Sequence, residues 1–497
     1  MIAHLTNDSR TVQIGSLFAA LHGTKEDGAD FLAEAIGRGA ACALCEAPPA
    51  QAIPYVLVPD ARYAFARMAA IWYGEPSRRL CMIGVTGTNG KTTTTWLIKQ
   101  MLEKTLGAKV GLIGTNQNMI GGETLPAERT TPDALTLQGL LSAMLDAGCT
   151  HAVMEVSSHA LMQHRTAGIE FDAAVFTNLT QDHLDYHGTM EAYCDAKARL
   201  FRQCRAAAVN GDSRWAERIL AGADCPRITY GQNLNNDVVG WHPEYENDRV
   251  RFTVSDEEEH CETELHIPGA FSLYNGLAAL AAMKLLDVPL PAAAKALRSC
   301  GGVRGRCEVV PTDTDYTVII DYAHTPDGLK NILEAVCAFA ENRVIAVFGC
   351  GGDRDRTKRA RMGRIAAALA DLVVVTSDNP RTEPPYAILH DVLDGMRGSR
   401  TPFAVLENRR EAIAYALDCA RGGDVVLLAG KGHETYQIIG TESRPLDERR
   451  VVYEYLERRR NQHADSACSH SELCRHGDRG AVSDPVAPPP QGGAGDP

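Results

Sequence analysis

The sequence predicts an α/β protein of three domains, and three observations carry that expectation. The chain has 497 residues, which at about 100–200 residues per domain is roughly three cores. Two stretches, starting near residues 80 and 303, alternate short apolar runs with helix-like segments, as a largely parallel sheet covered by helices requires. Several of those runs end in clusters of Gly, Asp, His and Arg, where open α/β sheets bind ligands.

Composition narrows the function classes. With 45% hydrophobic and 23% charged residues, the chain is neither fibre, disordered chain nor disulfide scaffold. Fifty Lys and Arg against 63 Asp and Glu give a net charge of −13, which argues against a protein that coats nucleic acid. A local basic pocket for an anionic small molecule remains compatible. No stretch reaches the roughly 18 uninterrupted apolar residues of a membrane span, and the first ten residues lack a secretory pattern. The 15 cysteines have no repeated spacing, and Cys81, Cys149, Cys300, Cys337 and Cys419 sit in apolar runs. That is the usage of reduced, buried thiols in a cytoplasmic protein. The Ala-rich flanks of Cys42 and Cys45 make a packed pair a better reading than a redox or metal site.

In chain order, residues 1–78 form a small N-terminal α/β domain, with short apolar segments at 16–21 and 55–58 and a Gly/Pro linker at 74–77. Residues 79–302 form a central domain. Its run at 80–85 precedes a helix at 91–106, where Leu97, Ile98, Met101 and Leu102 recur at helical spacing, and buried strands follow at 152–156 and 173–179. Residues 303–457 form a C-terminal Rossmann-like α/β domain with strands at 317–320, 344–348, 372–375, 403–406 and 425–429 and helices such as 330–340 and 359–370. Four polar clusters, at 321–324, 349–354, 378–381 and 430–434, end these strands and are expected to share one cleft. From 458 to 497 the pattern stops, which reads as a disordered tail. Cys468, His470, Cys474 and His476 in that tail match no standard zinc spacing and are read as chance composition.

The strongest chemical signal runs from Gly84 to Thr93. A Gly-rich turn between strand and helix offers the backbone N–H groups of Gly87, Thr88, Asn89 and Gly90 to phosphates. Lys91 would reach the terminal phosphates, Thr92 would ligate Mg²⁺, and Thr93 completes the motif. A strict phosphate-loop match needs Gly where Val85 stands, so the loop is a variant, and the central domain is read as a P-loop-type mononucleotide-binding ATPase. Glu155 ends one apolar run, and Asp182, His183, Asp185 and His187 follow another. Glu155, His183, Thr92 and phosphate oxygens suit Mg²⁺; zinc at His183, Asp185 and His187, or a purely structural polar cluster, competes on residue type alone.

Seven motifs stand in order: Gly-Thr-Asn-Gly-Lys-Thr-Thr at 87–93, Met-Glu-Val-Ser-Ser-His at 154–159, the run 176–188, Asp-Tyr-Ala-His-Thr-Pro-Asp at 321–327, 348–355, Asp-Asn-Pro-Arg at 378–381 and Ala-Gly-Lys-Gly-His-Glu at 429–434. Together they resemble the Mur ligases, over about 8–456. Within that family the pattern is most similar to the branch joining meso-diaminopimelate to UDP-N-acetylmuramoyl-L-alanyl-D-glutamate. The resemblance implies one domain per substrate: the UDP part first, ATP in the centre, the amino acid last. It implies contacts to UDP-muramoyl-peptide from Asn7, Ser9, Thr130, Thr131, Ser157, Gln163 and Arg165, with the loop 24–26 near uracil. It implies Asn275, Arg306 and Asp321 around adenine and ribose, with His324 close by. Lys197 matches the lysine that the family carbamylates, as N6-carboxylysine, to hold a second Mg²⁺ beside Thr92, Glu155 and His183. Lys91, Glu155, His183 and Lys197 are then the expected catalytic set.

The resemblance also implies the chemistry and the partners. ATP turns a peptide carboxylate into an acyl phosphate, and the amine of the third substrate displaces phosphate, with no covalent enzyme nucleophile. Arg381 and Arg354 would grip the carboxylate that distinguishes diaminopimelate from lysine, with Asp378, Asn379, Pro380, Gly430 and Glu434 completing that site. The expected partners are these small molecules, with no nucleic acid, no membrane span, and a monomeric chain. The L-lysine-adding ligase, a folylpolyglutamate synthetase-like ligase, an ATP-binding scaffold and a dinucleotide oxidoreductase are the competing readings; the last lacks the final Gly of its fingerprint at 349–354.

Overall fold

The computed structural model describes residues 2–23 and 26–476, so Thr24 and Lys25 of the expected uracil loop and the Pro-rich end lie outside the described residues. Near the N-terminus, strands His4–Thr6, Ser16–Ala19, Ala40–Cys45 and Tyr55–Leu57 pair in parallel in that order. Alternate residues of these strands go to opposite faces: Phe18, Ala43 and Cys45 pack beneath Leu32, while Leu5, Leu17 and Leu44 pack against Phe65 of helix Ala61–Trp72. Asp60 caps that helix, accepting from the Tyr63 N–H at 2.8 Å. Cys42 and Cys45 are packed in the strand, and burial pushes both thiols up.

The central sheet has eleven strands. Its parallel middle is ordered Val110–Ile113, His151–Glu155, Cys81–Thr86, Ala173–Phe176, Ala207–Asn210 and Arg227–Gly231. Both edges are extended: by antiparallel Asn118–Ile120 and Glu123–Leu125 on one, and on the other by Val238–Tyr245, joined in parallel, which opens an antiparallel meander with Val250–Ser255 and His260–Leu265. In the meander Val250, Phe252 and Val254 point into the core and Arg251 points out. Helix Ala270–Leu285 is apolar nearly all round because it packs between this sheet and helix Lys91–Leu106, burying Leu273, Leu277, Leu280 and Met283.

The C-terminal sheet is ordered Glu308–Val310, Thr317–Asp321, Val425–Ala429, Val344–Phe348, Leu372–Thr376 and Phe403–Leu406, parallel except for the first pair. All five expected strands are present. Helices Pro326–Cys337 and Thr357–Leu369 cover one face, with Leu333, Val336 and Met362 in the core, and helix Arg409–Cys419 covers the other. The expectation of an irregular chain from 458 is corrected: a helix runs from Glu448 to His476. It is moored by a fully buried ion pair between Arg409 and Glu448 at 2.8 Å and by Val452 and Leu456 in the core. Among the described residues no helix is long and apolar enough to cross a membrane.

Candidate active site

The phosphate loop is the turn between strand Cys81–Thr86 and helix Lys91–Leu106. Gly90 caps the helix at φ 83°, and a Cβ there would lie 2.3 Å from Asn275 Oδ1, so both backbone and space demand glycine. The next strand end braces the loop. Asn178 Oδ1 accepts the Asn89 N–H at 2.9 Å, the Asn178 carbonyl accepts the Thr88 N–H at 2.8 Å, and the Thr177 hydroxyl donates to the Asn89 carbonyl at 2.7 Å. Lys91 folds back over the loop, its Nζ donating to the carbonyls of Gly87 and Thr88 at 3.0 and 2.9 Å. Gly90→Ala is expected to weaken nucleotide binding at least tenfold, since left-handed strain of about 1–3 kcal/mol adds to the clash with Asn275. Titration with a fluorescent ATP analogue checks it.

Lys197, on helix Met190–Ala198, is 1% exposed and donates from Nζ to the same Gly87 carbonyl at 2.8 Å. Burial, then the neighbouring Lys91 charge, hold its ammonium well below the ordinary lysine value. Burial also lowers Lys91, while Glu155 and Asp182 push it back up. Glu155 ends its strand 1% exposed, with its two carboxylate oxygens accepting from the Thr115 N–H at 2.8 Å and the Thr115 hydroxyl at 3.0 Å. His183, at φ 53°, lies 3.4 Å from Asp182, and its ring stands edge-on to His159 with centroids 4.8 Å apart. Burial lowers its basicity, and that of His187 falls to about 4.

Zinc at His183, Asp185 and His187 loses its footing, because His187 is turned to the Ser158 hydroxyl at 2.9 Å. The metal-type grouping among the described residues is elsewhere, at His390, Asp391 and Asp394, where Asp391 is already paired with Arg356 and Arg359. The hard oxygens of Glu155 and Thr92 beside the phosphate loop fit Mg²⁺.

Five of the seven residues expected at the muramoyl-peptide come together. The Thr131 hydroxyl donates to the Glu155 carbonyl at 2.8 Å and accepts the Ser157 N–H at 3.1 Å. Thr130 reaches Thr115 at 3.0 Å. Arg165 donates to the Thr131 carbonyl at 2.7 Å and, through two nitrogens, to Gln163 Oε1 at 3.1 and 2.7 Å. Burial, with the Arg129 and Arg62 charges and against that of Asp133, brings Arg165 down to about 10. Ser9 is buried in the N-terminal sheet unit and donates to Glu34 at 3.0 Å; Asn7 is exposed.

The four C-terminal clusters do share one cleft. The Gly430 N–H donates to the Asp321 carbonyl at 3.0 Å, and Lys358 donates to the His324 carbonyl at 2.8 Å. Asp321 accepts from the Cys307 and Ala323 N–H groups at 2.7 and 2.8 Å, and burial raises its pKa. Arg306 lies over the Tyr322 ring at 4.8 Å, and its charge lowers both Lys91 and His433, the latter to about 4 mainly through burial. Arg381, at φ 51°, donates to the Gly352 carbonyl at 2.8 Å. A Cβ on Gly351 would meet Arg381 Nη1 at 3.0 Å and Arg354 Cγ at 3.7 Å, so the two arginines flank that glycine.

Sequence reasoning missed the group that organises this cleft. Lys431 is fully buried, donating to Asn379 Oδ1 at 2.7 Å and Glu434 Oε2 at 2.8 Å, with Asp378 at 3.6 Å. Only its place inside the 429–434 motif could have flagged it. Lys431→Met should leave two buried carboxylates without their cation and cost about 3–5 kcal/mol, read as a lowered urea midpoint. Arg359, the Thr177–Asn178 brace, Thr115 and the Arg62/Arg129 pair were missed too.

Fold and site together define a nucleotide-dependent ligase of α/β architecture, with a phosphate loop at a strand end of one sheet and a polar cleft at the strand ends of another. The family models agree. Residues 1–72 match the Mur ligase family catalytic domain, 85–283 the Mur ligase middle domain, and 305–432 the Mur ligase glutamate ligase domain. The chain belongs to the Mur ligase family. It is 48% identical over 469 residues to the UDP-N-acetylmuramoyl-L-alanyl-D-glutamate–2,6-diaminopimelate ligase of Gloeobacter violaceus, covering 93% of this chain and 95% of that one. It is 44% identical to the ligase of the same name from Caldanaerobacter subterraneus, covering 92% and 95%. A solved structure of a ligase of that name superposes with a TM-score of 0.68 at 34% identity, covering 92% and 95%.

Proposed function

We propose that this chain is the ATP-dependent ligase that adds meso-diaminopimelate to UDP-N-acetylmuramoyl-L-alanyl-D-glutamate, in peptidoglycan precursor synthesis. The observation that carries the choice of amino acid is the pairing state of Arg381. Its guanidinium is held by the carbonyls of Gly352 and Asn379, and among the described residues no carboxylate lies within ion-pair distance of it. Arg354 likewise donates only to the Asp353 carbonyl, at 3.0 Å. Nearby Arg359, by contrast, is charge-paired with Glu383 and Asp391 at 2.8 and 2.9 Å. Two oriented but unneutralised guanidiniums suit a ligand carboxylate.

The chemistry follows from the placement of charge. The peptide carboxylate oxygen attacks the γ-phosphorus of ATP, the bond to the bridging oxygen breaks, and ADP leaves. Lys91 spreads the charge of the transferring phosphoryl group, and Arg165 holds the anionic acceptor against a second anion. The amine of diaminopimelate then attacks the acyl carbon, phosphate departs with the C–O bond electrons, and the amine loses a proton to give the amide. Thr92, Glu155, His183 and a carbamylated Lys197 would hold Mg²⁺, which supplies Lewis-acid screening of phosphate charge. Burial holds the Lys197 ammonium below the ordinary lysine value, which favours the free lone pair that carbamate formation with CO₂ requires.

In this reading 1–78 takes the UDP part, 79–302 takes ATP and 303–457 the amino acid, and Asn7 and Ser9, like Asn275 and Asp321, serve the two nucleotides. The ligase works in the cytoplasm as a monomer. The test is ADP release from UDP-muramoyl-dipeptide with meso-diaminopimelate or L-lysine. Release with diaminopimelate at least a hundredfold above lysine is expected; the reverse ratio assigns the lysine-adding activity, and no release with either removes the ligase reading.

A further inference from the structure

At the amino ends of the central strands, away from the phosphate loop, lies an open cleft of about 860 Å³. Arg67, Arg78, Arg199, Arg202 and Arg205 line it, opposed by Glu170 and Asp172. None of the residues assigned to ATP, muramoyl-peptide or diaminopimelate does. Arg205 is paired with Glu170 and Asp172 at 3.2 and 3.3 Å, and Arg78 and Arg67 share Glu75, just outside the lining, at 3.1 and 3.9 Å. Arg199 reaches only the Leu161 carbonyl, at 3.5 Å, and neither it nor Arg202 has a carboxylate partner among the described residues. In a chain of net charge −13, five arginines around one concavity are a local reversal of sign.

We propose that this cleft is a second anion site, taking a ligand with two or more linked phosphates. The volume falls within the roughly 300–1,000 Å³ of small-molecule sites. Arginine forks match phosphate oxygens two at a time and stay charged at any physiological pH. Spread over several ångströms, they fit a di- or triphosphate better than a single phosphate. Tyr63 and Arg67, from helix Ala61–Trp72, and Ser77 and Arg78 belong to the N-terminal residues 1–78, and the rest to the central unit, so the ligand bridges the two. Arg199 and Arg202 lie on the turn directly after helix Met190–Ala198, which carries Lys197, so occupancy bears on the lysine at the phosphate loop. Inorganic polyphosphate and a nucleoside diphosphate share this chemistry.

Calorimetry on the full chain tests it, with both catalytic subsites filled by a non-hydrolysable ATP analogue, Mg²⁺ and UDP-muramoyl-dipeptide. Inorganic tripolyphosphate in one arm and GDP in the other, each in matched magnesium buffer, are the probes. One further equivalent of at least one probe is expected to bind, more weakly as salt rises; the tighter probe identifies the source. The double variant Arg199→Gln/Arg202→Gln should bind at least tenfold more weakly. Glu170→Gln, at an exposed carboxylate, should bind about threefold more tightly by removing one of the two acids that neutralise Arg205. No extra equivalent of either probe, or unchanged affinity in both variants, overturns the site.

Discussion

Lys197→Ala and Lys197→Arg are both expected to lower turnover by about a thousandfold, with ATP affinity within threefold of the parent. The Arg variant decides what the lysine does. Lys197 Nζ donates to the Gly87 carbonyl at 2.8 Å and lies 4.5 Å from the centroid of the Tyr193 ring. A role as a cation would survive in part in the guanidinium, which stays charged. A role as a carbamate would not, because a guanidinium has no lone pair to add to CO₂. The parent should also lose activity in CO₂-depleted buffer and regain it with bicarbonate. Retention of a tenth or more of the activity by Lys197→Arg, or indifference to bicarbonate, sinks the carbamate. Losing an electrostatic partner of the transferring phosphoryl group is worth about 3–4 kcal/mol, which sets the size.

The same residue makes an opposite demand on stability. Its folded pKa is depressed, so between that value and the ordinary lysine value the unfolded chain binds more protons than the folded one. Stability in that window therefore rises with pH, and at neutral pH the buried amine is a cost. Lys197→Met, similar in volume and apolar, should melt higher than the parent in bicarbonate-free buffer while being inactive, as expected where a site holds a group the fold does not favour. Equal melting temperatures would mean that the amine is better solvated than its burial implies.

Such groups also mark where sequence reading worked and where it stopped. The phosphate loop was legible because Gly87, Gly90 and Lys91 act through local backbone geometry, fixed within a few residues. The C-terminal cleft was legible because parallel strands, buried on both faces, read as unbroken apolar runs, and their carboxyl ends must meet. The brace from Thr177 and Asn178 to the loop was not, since it spans about ninety positions and looks like any Thr-Asn pair. The meander at 238–265 has the period-two pattern, with Arg251, Glu262 and Glu264 as its outward half, but its strands lack the unbroken apolar runs of the parallel sheet, and none was assigned there. The helix Glu448–His476 was taken as irregular beyond 458 because its charged run cannot build a core alone. Its anchor lies in its first turns, where Glu448 pairs with Arg409, 39 positions earlier, and Val452 and Leu456 join the core.

Arg381→Asn should lower kcat/KM for meso-diaminopimelate by two to three orders of magnitude while moving the KM for ATP less than twofold. Asparagine is the informative replacement, because the backbone at φ 51° is pinned by the Arg381 N–H to the Ile438 carbonyl at 3.1 Å and by the Gly440 N–H to the Arg381 carbonyl at 2.7 Å. Asn tolerates that left-handed conformation, so the loss reports the guanidinium rather than a broken turn. Alanine would mix the two. Removing one partner from a desolvated charge pair costs about 2–5 kcal/mol, the range expected for a site left with an unmatched carboxylate. Arg381→Lys keeps the charge and forfeits the fork, and should fall between Asn and the parent. L-lysine, lacking the distal carboxylate, gains nothing from Arg381, so its low rate should stay level across the series and the ratio of the two substrates should narrow toward one. A proportionate fall for both amino acids, or an equal rise in the KM for ATP, would assign Arg381 to holding the cleft together through Gly352 instead of to reading the substrate.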